Sequence, residues 1–221
     1  MSSLRALSPA AGPGGSDNYD PATGDARTCG TTASLCGIEM GLFEGDEEQV
    51  SLGIRRDLMM HAAVMCMAGF PMLSCGDEIG QLNGYGYHDD PDLAEDSRNL
   101  HRTPFSWDNA ALRKTPGTVQ QRIWDGLRKL EQLRGSESCF APGAEVTTWD
   151  THNDHVLALV RRRGDGTLVC LFNFDCGHQE VWLDGMEGTF TDLITGEEAL
   201  CSHRALAPYQ YAVCRAAPTL P

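Results

Sequence analysis

The stretch GDEIGQLNGYGYHDDPDLAEDSRNLHR, at residues 76–102, determines how the rest of the chain is interpreted. It follows a short apolar run at residues 70–75, FPMLSC, which is typical of a buried strand. The stretch is too long and too polar for an ordinary connection. A long loop at the C-terminal end of a strand is usually functional or disordered. The tyrosines, Arg98 and His101 favour an ordered loop.

Apolar periodicity predicts helices on both sides of this loop. Residues 51–67 carry apolar side chains at steps of three and four, and Gly69 and Pro71 end the pattern. A second helix is predicted over residues 119–134 and a shorter one over residues 31–43. With a strand at residues 72–75, the order strand, loop, helix predicts one βα unit of a parallel barrel.

From residue 144 onward the pattern changes to a period of two. Strands are predicted near residues 156–160 and 168–174, and Gly164-Asp165-Gly166 is a hairpin signal between them. Further short strands are predicted near residues 179–183, 188–193 and 209–215. This half of the chain therefore predicts a small antiparallel β-sandwich.

Length and composition exclude several classes of protein. The 221 residues are fewer than the about 250 of a complete (β/α)₈ barrel. A net charge of −14 with no basic stripe argues against nucleic acid as a partner, and no apolar run is long enough for a membrane span. The nine cysteines form no C-x-x-C pair, which predicts free thiols in a reducing cytoplasm.

Three stretches carry a family resemblance. Residues 69–78, GFPMLSCGDE, resemble the signature on the eighth barrel strand of the α-amylase superfamily, glycoside hydrolase family 13. Ser74 departs from it, because the superfamily often has an aromatic residue there. Residues 88–107, HDDPDLAEDSRNLHRTPFSW, and 18–37, NYDPATGDARTCGTTASLCG, resemble the amylosucrase-like branch. The resemblance covers roughly residues 17–216.

The resemblance implies the last one or two βα units of a truncated (β/α)₈ TIM barrel followed by a small antiparallel β-sandwich domain. The expected organisation is a disordered tail at residues 1–16, a barrel part at 17–136 and the β domain at 137–217. It implies the C-terminal part of a retaining α-glucoside transglucosidase or hydrolase, whose carbohydrate substrate is sucrose or an α-glucan. The family uses no organic cofactor.

No catalytic residue is expected in this chain. Retaining chemistry needs two carboxylates roughly 5 Å apart. The family's nucleophile, acid/base and stabilising aspartate follow the fourth, fifth and seventh strands, upstream of residue 17. The chain alone is therefore expected to be inactive, and Asp77 and Glu78 are expected to bind loop or barrel-rim amides. No metal site is expected, because His152 and His155 have no third ligand at a known spacing.

Four residues are candidates for substrate binding. Arg98, in Asp-Ser-Arg, matches an arginine that pairs with an aspartate and closes the glucose pocket in amylosucrase-like enzymes; an ordinary ion pair with Asp96 or Glu95 is the alternative. Arg27 matches an arginine on the acceptor side, or makes a loop contact unrelated to sugar. Tyr85 and Tyr87 stack on sugar rings or pack within the loop. A non-catalytic carbohydrate-binding or structural module is the alternative function.

Overall fold

The computed structural model describes residues 15–17, 21–24 and 27–216, which form two compact units. The first unit contains the described residues up to Asp57 together with Leu73–Asp125. The second unit contains Leu58–Met72 together with the described residues from Gly126 onward. The tail predicted at residues 1–16 lies outside the described residues, except for Gly15 and Ser16. The boundary predicted between residues 136 and 137 stays a prediction.

The first unit opens with a small hairpin and two short helices. Strands β1 (Gly15–Asp17) and β2 (Arg27–Cys29) pair in antiparallel fashion, and α1 (Thr32–Leu35) and α2 (Ile38–Glu44) follow. The single helix predicted over residues 31–43 is wrong in one respect, because Gly37 interrupts it. The φ angle of Gly37 is 96°, a left-handed conformation that ends α1 before α2 begins.

The two long helices start in the first unit and continue into the second. Helix α3 spans Glu47–Cys66 and α5 spans Val119–Ser136, close to the predicted bounds. Asp46 begins α3, since its carboxylate accepts hydrogen bonds from the amides of Glu48 and Gln49, both at 3.0 Å. Helix α4 (Trp107–Ala111) lies between them. Single 3₁₀ turns lie at Asp77–Ile79, Tyr85–Asp89, Ser97–His101 and Leu112–Lys114.

The strand predicted at residues 72–75 is not formed. No described strand forms hydrogen bonds with this segment, and Phe70 and Met72 are 95% and 86% exposed. An apolar run becomes a strand only when neighbouring backbones accept and donate its ladder hydrogen bonds. The apolar pattern was recognised correctly, but the described chain contains no neighbouring strand for it.

The second unit is rich in antiparallel β-structure, as predicted. Strands β3, β4, β5, β10, β7 and β8 form a six-stranded sheet in that order, and β6 and β9 form a two-stranded sheet. The strands span Glu145–Trp149 (β3), Val156–Arg163 (β4), Gly166–Asn173 (β5), Gln179–Trp182 (β6), Thr189–Asp192 (β7), Glu198–Leu200 (β8), His203–Leu206 (β9) and Tyr211–Ala216 (β10). The hairpin β4–β5 turns at Gly164, whose φ is 55°.

The core of this unit lies between the two sheets, and the central strand β5 of the six-stranded sheet is buried on both faces. Alternate residues of β4 and β5, such as Val160 and Leu171, pack with Val181 of β6 and Leu206 of β9 in the small sheet. On the opposite face of β5, Phe172 is also completely buried. Burying each such side chain stabilises the folded state by about 1.5–3 kcal/mol relative to leaving it exposed to water.

Two further features bear on earlier predictions. Within the described part of the chain, no helix has the length and apolar character needed to cross a membrane. All nine cysteines are free thiols, of which Cys75 and Cys176 are exposed and the other seven are buried.

Candidate functional site

The loop at residues 76–102 is ordered because side-chain amides anchor it. Gln81, which is 9% exposed, donates from Nε2 to Thr103 Oγ1 at 2.7 Å and accepts from the Ser106 amide at 3.1 Å. Asn83 Oδ1 accepts a hydrogen bond from the Thr31 backbone amide at 2.8 Å, and the backbone N–H of Asn83 donates to Ser34 Oγ at 3.0 Å. These bonds tie the start of the loop to its end and to the first turn of α1.

The carboxylates that open the loop stabilise its backbone. Asp77 Oδ2 accepts a hydrogen bond from the Ser74 amide at 2.8 Å, and Glu78 Oε2 accepts one from the Gly76 amide at 2.9 Å. The two bonded amides are those of Gly76, the first residue of the loop, and Ser74, just before it, so the prediction that this acidic pair binds loop or barrel-rim amides is confirmed. The pair holds the tight turn around Gly76, whose φ is 102°.

Arg98 binds Asp96 with both arms of its guanidinium fork. Its Nε and Nη2 lie 2.7 Å from Asp96 Oδ1 and Oδ2, and its backbone amide lies 3.0 Å from Oδ1. Hydrogen bonds from Arg98 lower the pKa of the Asp96 carboxyl to about 2. The side chain of Arg98 is 48% exposed. The ion pair with Asp96 is thus present, and a contact between Arg98 and sugar stays a prediction.

Tyr87 lines an open cavity of about 250 Å³. Its ring stacks on His88 with 4.0 Å between centroids, which fixes the aromatic wall. Asp90, Asn99 and Arg102 also line this cavity. The prediction had missed Arg102, although it is a second arginine in the same loop, four residues after Arg98. An aromatic wall with nearby carboxylate, amide and guanidinium groups suits a polyhydroxylated ligand.

Tyr85 belongs to a different cavity. It lines a groove of about 310 Å³ together with Glu39, Met40 and Phe43 from α2. Partial burial, and to a smaller extent the Glu39 carboxylate, raise the pKa of the Tyr85 hydroxyl. Phe43 is 88% exposed and was not among the predicted site residues. The structure therefore does not bring the two tyrosines together, and Arg98 lines neither of these two cavities.

Two remaining predictions concern Arg27 and metals. The backbone of Arg27 pairs with Asp17 in the β1–β2 hairpin, but its side chain lies outside the described residues. Among the described residues, no group of three histidine, cysteine or acidic side chains could hold a metal ion. His152 lies 2.9 Å from Asp184 and 3.9 Å from Asp150, and His155 lies 3.3 Å from Asp175, so the two histidines contact different carboxylates.

Solved structures of three enzymes resemble the chain. AmyP in complex with maltose matches with a TM-score of 0.62 and 21% identity, over 76% of this chain and 35% of AmyP. Trehalulose synthase MutB from Pseudomonas mesoacidophila MX-45 matches with a TM-score of 0.56 and 18% identity, over 73% of this chain and 38% of MutB. Trehalose-6-phosphate hydrolase from Bacillus licheniformis matches with a TM-score of 0.56 and 19% identity, over 73% of this chain and 38% of the hydrolase. The described fold is similar to part of the fold of these three enzymes, which belong to glycoside hydrolase family 13.

The likeness to these enzymes is partial. The chain combines part of a barrel with a β-rich domain, as predicted. It spans little more than a third of the length of the similar enzymes, between 35% and 38%. No protein-family model matches the sequence.

Proposed function

We propose that the chain is the C-terminal part of a family 13 enzyme that acts on carbohydrates. The observation that carries this proposal is the anchored polar loop on a family 13 fold, with a cavity of about 250 Å³ beside it. The finer assignment is an amylosucrase-like retaining transglucosidase or hydrolase whose donor is sucrose or an α-glucan. It rests on the resemblance of residues 88–107 and 18–37.

In this proposal the chain binds and orients sugar but does not cleave it. Tyr87 offers an apolar ring face for a pyranose, and Asp90 and Arg102 offer an acceptor and a donor for its hydroxyls. Arg98, held by Asp96 outside the Tyr87 cavity, closes the base of a glucose pocket, and Arg27 lies on the acceptor side. Tyr85 stacks on a sugar ring in its own groove beside α2. Cleavage needs a nucleophile and an acid/base around an oxocarbenium-like transition state. Asp77 and Glu78 are not assigned these roles, because both hold loop amides.

The activity of the purified chain tests the absence of catalysis. We expect no release of glucose or fructose from sucrose or malto-oligosaccharides above a buffer blank. Turnover that disappears in Asp77→Asn or Glu78→Gln would show that this acidic pair is catalytic after all.

Binding of maltotriose tests the site itself. We expect Tyr87→Ala to weaken binding several-fold in a calorimetric titration, because the stacking wall is lost. Trp182→Ala is the matched control, since Trp182 is an aromatic residue of β6 that is 46% exposed. If Trp182→Ala abolished binding while Tyr87→Ala left it unchanged, the β-rich unit would be the sugar-binding module, which is the alternative function. The absence of binding by the unmodified chain would contradict both.

A further inference from the structure

A cavity with a volume of about 630 Å³ lies within the second unit, and none of its lining residues belongs to the loop discussed above. It is lined by residues 68–71 after α3, by residues 134–138 and 140–144 at the end of α5 and beyond it, and by Arg161 of β4. Both polar and apolar atoms line it. Its most unusual feature is that two of its lining residues are arginines.

Arg161 is buried without an acidic partner. It is 3% exposed, donates from Nε to the Cys139 carbonyl and from Nη1 to the Cys66 carbonyl, both at 2.8 Å, and lies over the ring of Phe140 at 4.9 Å. A guanidinium has five N–H donors, and no acceptor in the described part of the chain binds its Nη2. Buried charges are ordinarily paired with an opposite charge, and this one is not.

Arg134 adds a second positive charge to the same place. It donates to the carbonyl of Met65 and, at 2.7 Å, to that of Gly69, and its guanidinium lies 5.5 Å from the centre of the same Phe140 ring. Burial, and then the charge of Arg134, lower the pKa of Arg161. The structure therefore holds two like charges on one aromatic ring.

Nearby groups do not neutralise these charges. The carbonyls of Met65 and Cys66 belong to the C-terminal end of α3, which carries roughly half an elementary negative charge. That offsets only part of two guanidinium charges. Glu137 also lines the cavity, but its carboxylate binds Arg215. Within the described residues, neither Arg134 nor Arg161 forms an ion pair with a carboxylate.

We propose that this cavity binds the phosphate group of a small molecule between Arg134 and Arg161. Guanidinium groups recognise phosphate by paired, charge-assisted hydrogen bonds, and a dianion would compensate the charge that the protein leaves unbalanced. The volume exceeds that of a phosphate group, so the cavity has room for the organic part of a phosphate monoester. The proposal does not depend on the sugar-binding loop, which lies in the other unit.

Calorimetric titration of the full chain with inorganic phosphate, at constant ionic strength in chloride buffer, tests this proposal. We expect saturable binding at one site. Arg134→Met should weaken it at least tenfold. Arg163→Met is the control, because Arg163 is exposed, lies on the same face of β4 as Arg161, does not line the cavity, and changes the net charge equally. Its affinity should remain within twofold of the unmodified chain.

Further variants and ligands make the result decisive. Arg161→Met should abolish binding, and circular dichroism will show whether this variant folds; if it does not, Arg134→Met decides alone. A parallel titration with glucose 6-phosphate separates two sources of the phosphate group. Tighter binding of the ester than of inorganic phosphate assigns the site to a phosphorylated metabolite, and the reverse order assigns it to the free anion. No saturable binding of either ligand, or equal losses in Arg134→Met and Arg163→Met, overturns the proposal.

Discussion

Gly84 is a position in the loop at residues 76–102 where a side chain would clash with Thr103. A Cβ atom there would lie 1.8 Å from Thr103 Cγ2 and 3.1 Å from Thr103 Cβ. Gly86, two residues later and inside the 3₁₀ turn Tyr85–Asp89, has no atom within 4 Å of its Cβ position. Alanine substitutions at these two glycines therefore differ in steric consequence while sharing the same chemical change.

The loss of stability in Gly84→Ala depends on whether the Thr103 side chain can rotate away from the new methyl group. Threonine is stiff at χ1, and turning its methyl group away would move Oγ1, which accepts a hydrogen bond from Gln81 at 2.7 Å. Overpacking costs about 1–3 kcal/mol, and a lost hydrogen bond about 0.5–1.5 kcal/mol. We therefore expect Gly84→Ala to lower the free energy of unfolding by about 2–4 kcal/mol. Gly86→Ala should instead be neutral or stabilising by about 0.4–1 kcal/mol.

Urea unfolding of the full chain, followed by circular dichroism, measures both variants. The double variant Gly84→Ala/Thr103→Ser removes the clashing Cγ2 methyl and keeps the hydroxyl that Gln81 binds. We expect it to recover most of the lost stability. The reasoning would be refuted if Gly84→Ala unfolded at the same urea concentration as Gly86→Ala, or if Thr103→Ser gave no recovery.

Three other predictions follow from the described contacts. Arg98→Ala should raise the pKa of Asp96 from about 2 towards the ordinary value of about 3.9, which a carboxyl NMR titration will show; no rise would mean that the guanidinium does not hold the carboxylate. Because the folded pKa is the lower one, the pair stabilises the protein above about pH 4 and loses its effect as the pH falls to about 2. Only the exposed Cys75 and Cys176 should react rapidly with a thiol reagent in the native state. Mass spectrometry of the labelled peptides identifies the reactive cysteines, and rapid labelling of a buried thiol would contradict the packing. Phe172→Ala should cost about 3–5 kcal/mol in urea unfolding, whereas Phe174→Ala, at a position 47% exposed, should cost far less; equal losses would contradict the burial of β5.

The elements that the sequence predicted well are those whose partners are close in the chain. The hairpin of β4 and β5 forms its own ladder around Gly164, so alternation and a turn signal were sufficient. The start of α3 was placed four residues late, because its first turn is polar and Asp46 begins it through hydrogen bonds rather than through apolar spacing. The short strands β8 and β9 lack an apolar pattern and were not predicted.

The candidate site was predicted only at the level of the loop. Composition indicated an ordered polar loop, and Gln81 and Asn83 show how the order arises. The grouping of its side chains could not be predicted, since the 3₁₀ turn at Tyr85–Asp89 directs Tyr85 and Tyr87 to different cavities. Sequence spacing alone does not distinguish two residues on one face of a turn from two residues on opposite faces.

The position of β10 in the sheet has a consequence for the order of assembly during synthesis. This strand, Tyr211–Ala216, is the last described in the chain, yet it lies between β5 and β7. Until a ribosome has completed it, the hairpins β4–β5 and β7–β8 have no strand to join them. A nascent chain that stopped before Tyr211 would present the open edges of β5 and β7 to other chains. Premature termination near the end of this chain should therefore yield aggregates that require chaperone capture, rather than a slightly shortened native protein.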